Sequence, residues 1–212
     1  MENTGIRFSM NPKEIVRAGY NKIASSYGAS RAHDSEDIQL LHLLVERLPK
    51  GAMVLDAGCG SGHPVAEFLA EFFRVTGVDF SDEQIRLANE KVPNAEFVCA
   101  DITDLPFDEC TFHAVCSYYA IIQIPRGEHP KLLLNFHRIL KVGGLALLCM
   151  GAGDLPDEID HFHGTQMFWS HYDGKTNEKI MKENGFDIVW SKVVQDPTDS
   201  LAKHLFLLGQ KT

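Results

Sequence analysis

The sequence predicts an α/β protein: a mostly parallel sheet with helices on both faces and an antiparallel strand at its end. Short β-like runs at 52–56, 74–79, 95–99, 114–118 and 145–150 alternate with longer amphipathic stretches. Two more β-like runs, 187–193 and 203–209, are separated only by 195–200, which is too short for a helical crossover. They should pair as an antiparallel hairpin at the sheet edge.

Each element has a local reason. The stretches 65–72, 82–91 and 131–140 place apolar residues at helical spacing. Pro130 suits a first helical turn, and Gly143-Gly144 suits the left-handed exit from the third helix. Pro93 and Asn94 end the second. Residues 1–48 precede the first core strand, contain helix-compatible runs at 12–26 and 35–48, and are expected to form an amino-terminal helical cap. Residues 49–212 then form one domain. Within it, 151–174 is rich in Gly, His and aromatic residues without clear periodicity. We expect an ordered insertion there, at the carboxyl end of a strand, where open α/β sheets bind ligands.

Composition narrows the function. Of 212 residues, 44% are hydrophobic, enough for a packed core. No apolar run nears the roughly 20 residues that cross a bilayer, and the first residues lack a basic start followed by an apolar stretch. The expectation is a soluble, cytoplasmic protein without a membrane partner. With 29 acidic against 20 basic side chains, the formal charge of −9 disfavours a phosphate-backbone partner. Five cysteines without a CxxC pair argue against a disulfide framework or structural zinc.

The chemistry concentrates in Asp56-Ala57-Gly58-Cys59-Gly60-Ser61-Gly62, where a buried strand enters a turn with glycine at alternate positions. Glycine is needed where the chain turns sharply or where a ligand lies against the main chain. The dinucleotide spacing GxGxxG requires glycine at position 63, which is His63, and no Lys or Arg lies in the loop to hold a pyrophosphate. Asp56 would instead welcome a ligand ammonium. Asp79 ends the second strand 17 residues after Gly62, close to the spacing at which an acid accepts both hydroxyls of a ribose. Asp101 ends the third. Like charges gathered at one sheet edge are costly unless a ligand or donors compensate, and a positively charged nucleoside satisfies all three.

This pattern resembles the class I S-adenosylmethionine-dependent methyltransferases over roughly residues 40–210. The matching segments are Asp56 to Gly62, Asp79, Asp101-Ile102, and His137-Arg138-Ile139-Leu140-Lys141-Val142-Gly143-Gly144-Leu145. The resemblance implies a Rossmann-like, seven-stranded sheet with an antiparallel last strand and transfer of a methyl group from S-adenosylmethionine to a small-molecule acceptor. It also implies residue roles. Gly58, Cys59, Gly60 and Gly62 pack against the methionine part, Asp56 lies near its amine, and Asp79 binds the ribose. Phe80 flanks the adenine, while Asp101 and Ile102 contact it. Ser117 is a weaker candidate for the amine. Tyr20, Tyr27 and Arg31 lie on an amino-terminal segment that closes over the cofactor in many small-molecule members, with Arg31 paired to the carboxylate.

Plainer readings stand beside these. The glycines alone would also serve a tight strand-to-helix turn, and Asp79 and Asp101 could cap helices. Tyr20, Tyr27 and Arg31 fit equally a surface arm, and His63 is open between cofactor contact and helix start. His161, His163 and His171 offer three imidazoles, but methyl transfer needs no metal and no cysteine accompanies them, so a metal is not expected. They remain candidates for a general base. The absence of an Asn/Asp-Pro-Pro-aromatic run at Ser117-Tyr118-Tyr119-Ala120 places base methylation behind a small-molecule acceptor. A noncatalytic binder of S-adenosylmethionine or of a partner, a protein or RNA methyltransferase, and a nicotinamide enzyme are the competing readings.

Overall fold

The computed structural model describes residues 11–29 and 32–212. Helix α1 (Pro12–Ala29) and two short helices, α2 (Glu36–Gln39) and α3 (His42–Val45), come first. The alternating core follows: β1 (Met53–Ala57), α4 (Val65–Ala70), β2 (Arg74–Asp79), α5 (Asp82–Lys91), β3 (Glu96–Cys99), β4 (Phe112–Ser117), α6 (His129–Ile139) and β5 (Leu140–Gly151). After it come β6 (Leu155–Phe162), β7 (Thr165–His171), α7 (Gly174–Glu183), β8 (Phe186–Gln195) and β9 (Lys203–Lys211).

Seven strands form one sheet in the order β3-β2-β1-β4-β5-β9-β8. β1 pairs in parallel with β2 and β4, β2 with β3, and β4 with β5, while β9 runs antiparallel to both β5 and β8. β9 is therefore the reversed strand, inserted between β5 and the edge strand β8. Successive side chains face opposite sides, which divides the core in two. Leu55, Val115, Leu148 and Leu207 pack with Phe136 of α6 and Met181 of α7. Val54, Cys116, Leu147 and Phe206 pack with Ile38, Leu41, Leu44 and Leu69. The helices α2 and α3 thus cover one face of the sheet, and α1 reaches over its carboxyl edge. The single helix expected at 35–48 is broken in two. No helix among the described residues is long and apolar enough to cross a membrane.

Residues 151–174 hold more regular structure than their sequence suggests. β6 and β7 form a separate antiparallel ribbon, turning at His163 (φ 48°) and Gly164 (φ 78°). Helix α1 packs on this ribbon, with Val16 and Ile23 against Met167 and Phe168. The approach is close enough that a Cβ on Gly19 would come within 2.6 Å of the Met167 sulfur. Helix α7, which the sequence reading did not mark, is started by Asp173, whose carboxylate accepts from the N–H groups of Lys175 and Thr176.

Candidate functional site

The strand order reverses between β1 and β4, so the crevice beyond their carboxyl ends is the natural ligand site of this sheet. The loop after β1 is fixed against β2, with Gly58 N–H and Cys59 N–H both donating to Val78 O, at 2.7 and 3.0 Å. Gly58 has φ 82°, and a Cβ there would sit 2.2 Å from the Ala120 Cβ. Glycine therefore lets the β1 loop and the β4 exit approach each other. On the β4 side, Tyr119 holds a left-handed backbone (φ 59°), a conformation that costs a bulky residue on the order of 1–3 kcal/mol. Asp37 holds it there: its Oδ2 accepts from the Tyr119 hydroxyl and its backbone O from the Tyr118 hydroxyl, both at 3.0 Å.

The three aspartates differ sharply in their surroundings. Asp56 is 1% exposed, and its Oδ2 has no hydrogen-bond partner among the described residues. Burial, with the charge of nearby Asp79 adding to it, pushes its carboxyl up to about 8. Burial also raises Asp79, to about 6, against the opposing pull of backbone N–H groups. Among these, Ser81 N–H donates to its Oδ1 at 2.9 Å and Gly60 N–H to its Oδ2 at 3.0 Å. Asp101 is already engaged. Thr103 donates both N–H and hydroxyl to its Oδ1, and Lys13 donates to its Oδ2 at 3.0 Å. Burial opposes ionisation there, but the Thr103 bonds and Lys13 prevail and hold the carboxyl below its usual range.

Lys13 joins α1 to the sheet edge, since its Nζ also meets Glu128 at 2.9 Å and Thr103 Oγ1 at 2.7 Å. Burial alone would lower the ammonium, yet Glu128 and Asp101 raise it overall. A Lys13→Met variant should free this end of α1. Because the network is partly solvated, the expected loss is about 1 kcal/mol, or roughly 3 °C in a thermal melt. An unchanged melting temperature would show that α1 is held by its apolar face alone.

A cavity of about 670 Å³ runs beneath α1 and gathers many of the predicted residues: Tyr20, Tyr27, Gly58, Gly60, Asp79, Phe80, Asp101 and Ile102. Asp56 and Cys59 line an adjoining hollow with Ser61 and His63. The Cys59 thiol is pushed well up, by burial first and then by the charges of Asp56 and Asp79, so it stays protonated. His63 turns its Nδ1 to Glu67 at 2.8 Å. Two predicted residues lie elsewhere. Ser117 is fully buried and donates to Ala57 O at 2.7 Å, and a side chain at Gly62 would meet Val92 and Phe97 rather than the cavity. Arg31 lies outside the described residues.

His161 and His171 face a second groove, whereas His163 stands at the ribbon turn with its ring against Phe162. His171 Nδ1 lies 2.8 Å from Gly153 O. A carbonyl only accepts, so the proton sits on Nδ1 and Nε2 keeps the lone pair. Burial is the chief reason the His171 imidazole titrates below its usual range. The sequence reading missed Lys13, Gln84, Tyr118, Tyr119 and Gln123, which also line the cavity beneath α1.

Comparison with known proteins agrees with this architecture. Residues 54–144 match the methyltransferase-domain family. The chain is 32% identical over 152 residues to a malonyl-[acyl-carrier protein] O-methyltransferase of Pseudescherichia vulneris, covering 70% of this chain and 59% of that protein. It is also 32% identical over 167 residues to phosphoethanolamine N-methyltransferase 1 of Triticum aestivum, covering 74% of this chain and 32% of the relative. The chain therefore spans well under two thirds of either relative's length. A solved structure of 1,6-didemethyltoxoflavin-N1-methyltransferase from Burkholderia thailandensis, with 1,6-didemethyltoxoflavin and S-adenosylhomocysteine bound, superposes with a TM-score of 0.75 at 20% identity. That match covers 100% of this chain and 98% of the other. The fold and the crevice define a Rossmann-like α/β methyltransferase domain. In sequence and fold the chain is similar to the class I S-adenosylmethionine-dependent methyltransferases.

Proposed function

We propose that this chain transfers a methyl group from S-adenosylmethionine to a small-molecule acceptor. The carrying observation is Asp56: a buried carboxylate with one oxygen lacking any donor among the described residues, beside a left-handed glycine loop. Leaving such a group unpaired is costly, and an amino-acid ammonium supplies the missing donor. Asp79 accepts from Ser81 on one oxygen and from Gly60 on the other, and its remaining acceptor capacity suits ribose hydroxyls. Phe80 and Ile102 offer apolar walls for the adenine, and Asp101 Oδ2 has room for one more donor beside Lys13.

S-adenosylmethionine supplies, when bound, a methyl carbon already activated by a sulfonium leaving group. The protein's part is alignment and exclusion of water, with α1 and its Tyr20 and Tyr27 forming the roof. Tyr20 stays a neutral phenol, since burial above all pushes its hydroxyl well up. The lone pair on His171 Nε2 can take a proton from an acceptor in the adjoining groove.

Calorimetry with S-adenosylhomocysteine and with NAD, followed by incubation with labelled S-adenosylmethionine and a metabolite extract, tests the reading. Binding of the first ligand but not the second, and label appearing in a small metabolite, is the expected result. Absence of S-adenosylhomocysteine binding overturns the cofactor assignment. Binding without any labelled small product overturns the catalytic one.

A further inference from the structure

Beside the cofactor cavity lies the second groove, with a volume of about 970 Å³. Tyr20, Tyr27, Tyr119 and Gln123 border both spaces, so only those side chains stand between the two. The groove carries four carboxylates and three imidazoles, His161, His171 and His204. Glu158, Asp160, Asp196 and Asp199 line it, and no lysine or arginine appears among the described lining residues. Its apolar surface is mostly aromatic, with Phe162 and Trp169 added to the three tyrosines.

We propose that this groove binds the methyl acceptor and that the acceptor is an amine carried on an apolar or aromatic body. This inference rests on the methyltransferase reading above and adds the acceptor's chemical class.

Four carboxylates with no lysine or arginine beside them, one of them (Asp196) bonded to His204, make the groove a poor host for a carboxylate, a phosphate ester or a phenolate. They favour a cation, as do the faces of aromatic rings. The reaction's charge movement points the same way. The neutral amine nitrogen donates its lone pair to the methyl carbon, the carbon–sulfur bond breaks, and its electron pair stays on sulfur. Positive charge leaves the sulfonium and arrives on nitrogen, inside the acidic groove. Electrostatic groups aimed at the place where charge develops lower the barrier. An acceptor that arrives as an ammonium first gives up one proton, which His171 Nε2 can take.

A second observation comes from the groove wall. His204 is 8% exposed; its Nε2 meets Asp196 Oδ2 at 3.0 Å, and its buried Nδ1 has no partner among the described residues. In the neutral ring, Nε2–H donates to Asp196 and Nδ1 carries a lone pair, an acceptor suited to an amine N–H. Burial would raise the Asp196 carboxyl, but bonds from His204 and Thr198 outweigh it and bring it down to about 2, so the carboxylate keeps its charge.

The test uses three ligands of matched size, phenethylamine, 2-phenylethanol and phenylacetate, titrated into the protein saturated with S-adenosylhomocysteine. The expected order is amine first, at least about ten-fold tighter than the alcohol, with the acid weakest. A Glu158→Gln/Asp160→Asn variant should weaken the amine about ten-fold and leave the alcohol unchanged. Amine binding no tighter than the alcohol, including none at millimolar concentration, overturns the proposal. So does an amine affinity that ignores the double substitution. S-adenosylhomocysteine binding in the same samples is read separately. Its loss sinks the methyltransferase reading, whereas its persistence without amine preference sinks only the acceptor class.

Discussion

A Gly58→Ala variant will lose about 3 kcal/mol of stability and will not bind S-adenosylhomocysteine at concentrations that saturate the parent. Two independent costs meet at this residue. Its φ of 82° is a conformation that a Cβ disfavours, and the added carbon would lie 2.2 Å from the Ala120 Cβ. Little can yield. Gly58 is bonded to Val78 O, and Ala120 follows Tyr119, which Asp37 holds in place. The loop would have to move into the cavity beneath α1. For a chain of this length the loss corresponds to roughly 10 °C in melting temperature. Ala120→Gly removes the struck atom, so the double variant should recover the collision share but not the backbone share. Parent and Gly58→Ala melting within about 2 °C of each other would show that the two segments are not packed as described.

The same residues show how far a sequence can be read. The parallel core is legible because β1, β2 and β4 are largely buried and mostly apolar, and β1 and β2 run into Gly58 and Asp79. Asp56, Asp79 and the glycine loop are local in sequence, so their convergence follows once the strands are placed. The β6–β7 ribbon is harder to see. β6 carries Asp157, Glu158, Asp160 and His161, its register slips between Leu155 and Glu158, and β7 buries the adjacent residues Met167 and Phe168. Period two is lost on both strands. Lys13 and Tyr119 belong to the site through distant partners, Asp101 at 88 residues and Asp37 at 82 residues along the chain, and no local pattern marks either. Ser117 shows the converse case. Its position at the end of the fourth strand suits a ligand contact, yet its hydroxyl is buried against Ala57 O, and depth in the sheet is not written in its neighbours.

Replacing Asp56 with asparagine separates binding from folding, because the carboxylate should act on them in opposite directions. In the free protein the carboxyl titrates near 8, against 3.8 in an ordinary setting. A folded value above the unfolded one means that stability falls as pH rises from about 4 to about 8 and then levels. The amide that replaces it carries no such charge, so the Asp56→Asn protein should melt higher than the parent near pH 9. Ligand binding should move the other way. An ammonium beside Asp56 favours the ionised form, so binding near pH 7 releases most of one proton, while near pH 9 it releases almost none. Parallel calorimetry in phosphate and Tris, whose ionisation heats differ, reads that proton directly. Parent affinity should therefore rise with pH up to about 8 and then flatten. The asparagine variant should lose the proton release and bind about 10–100-fold more weakly, the range expected for a hydrogen bond to a charged group. A mere loss of fold cannot mimic this pairing of higher thermal stability in alkali with weaker binding. An Asp56→Asn protein with parental affinity and the same buffer-dependent heat would place the ligand ammonium elsewhere, and the unpaired oxygen in the crevice would have to be satisfied by water.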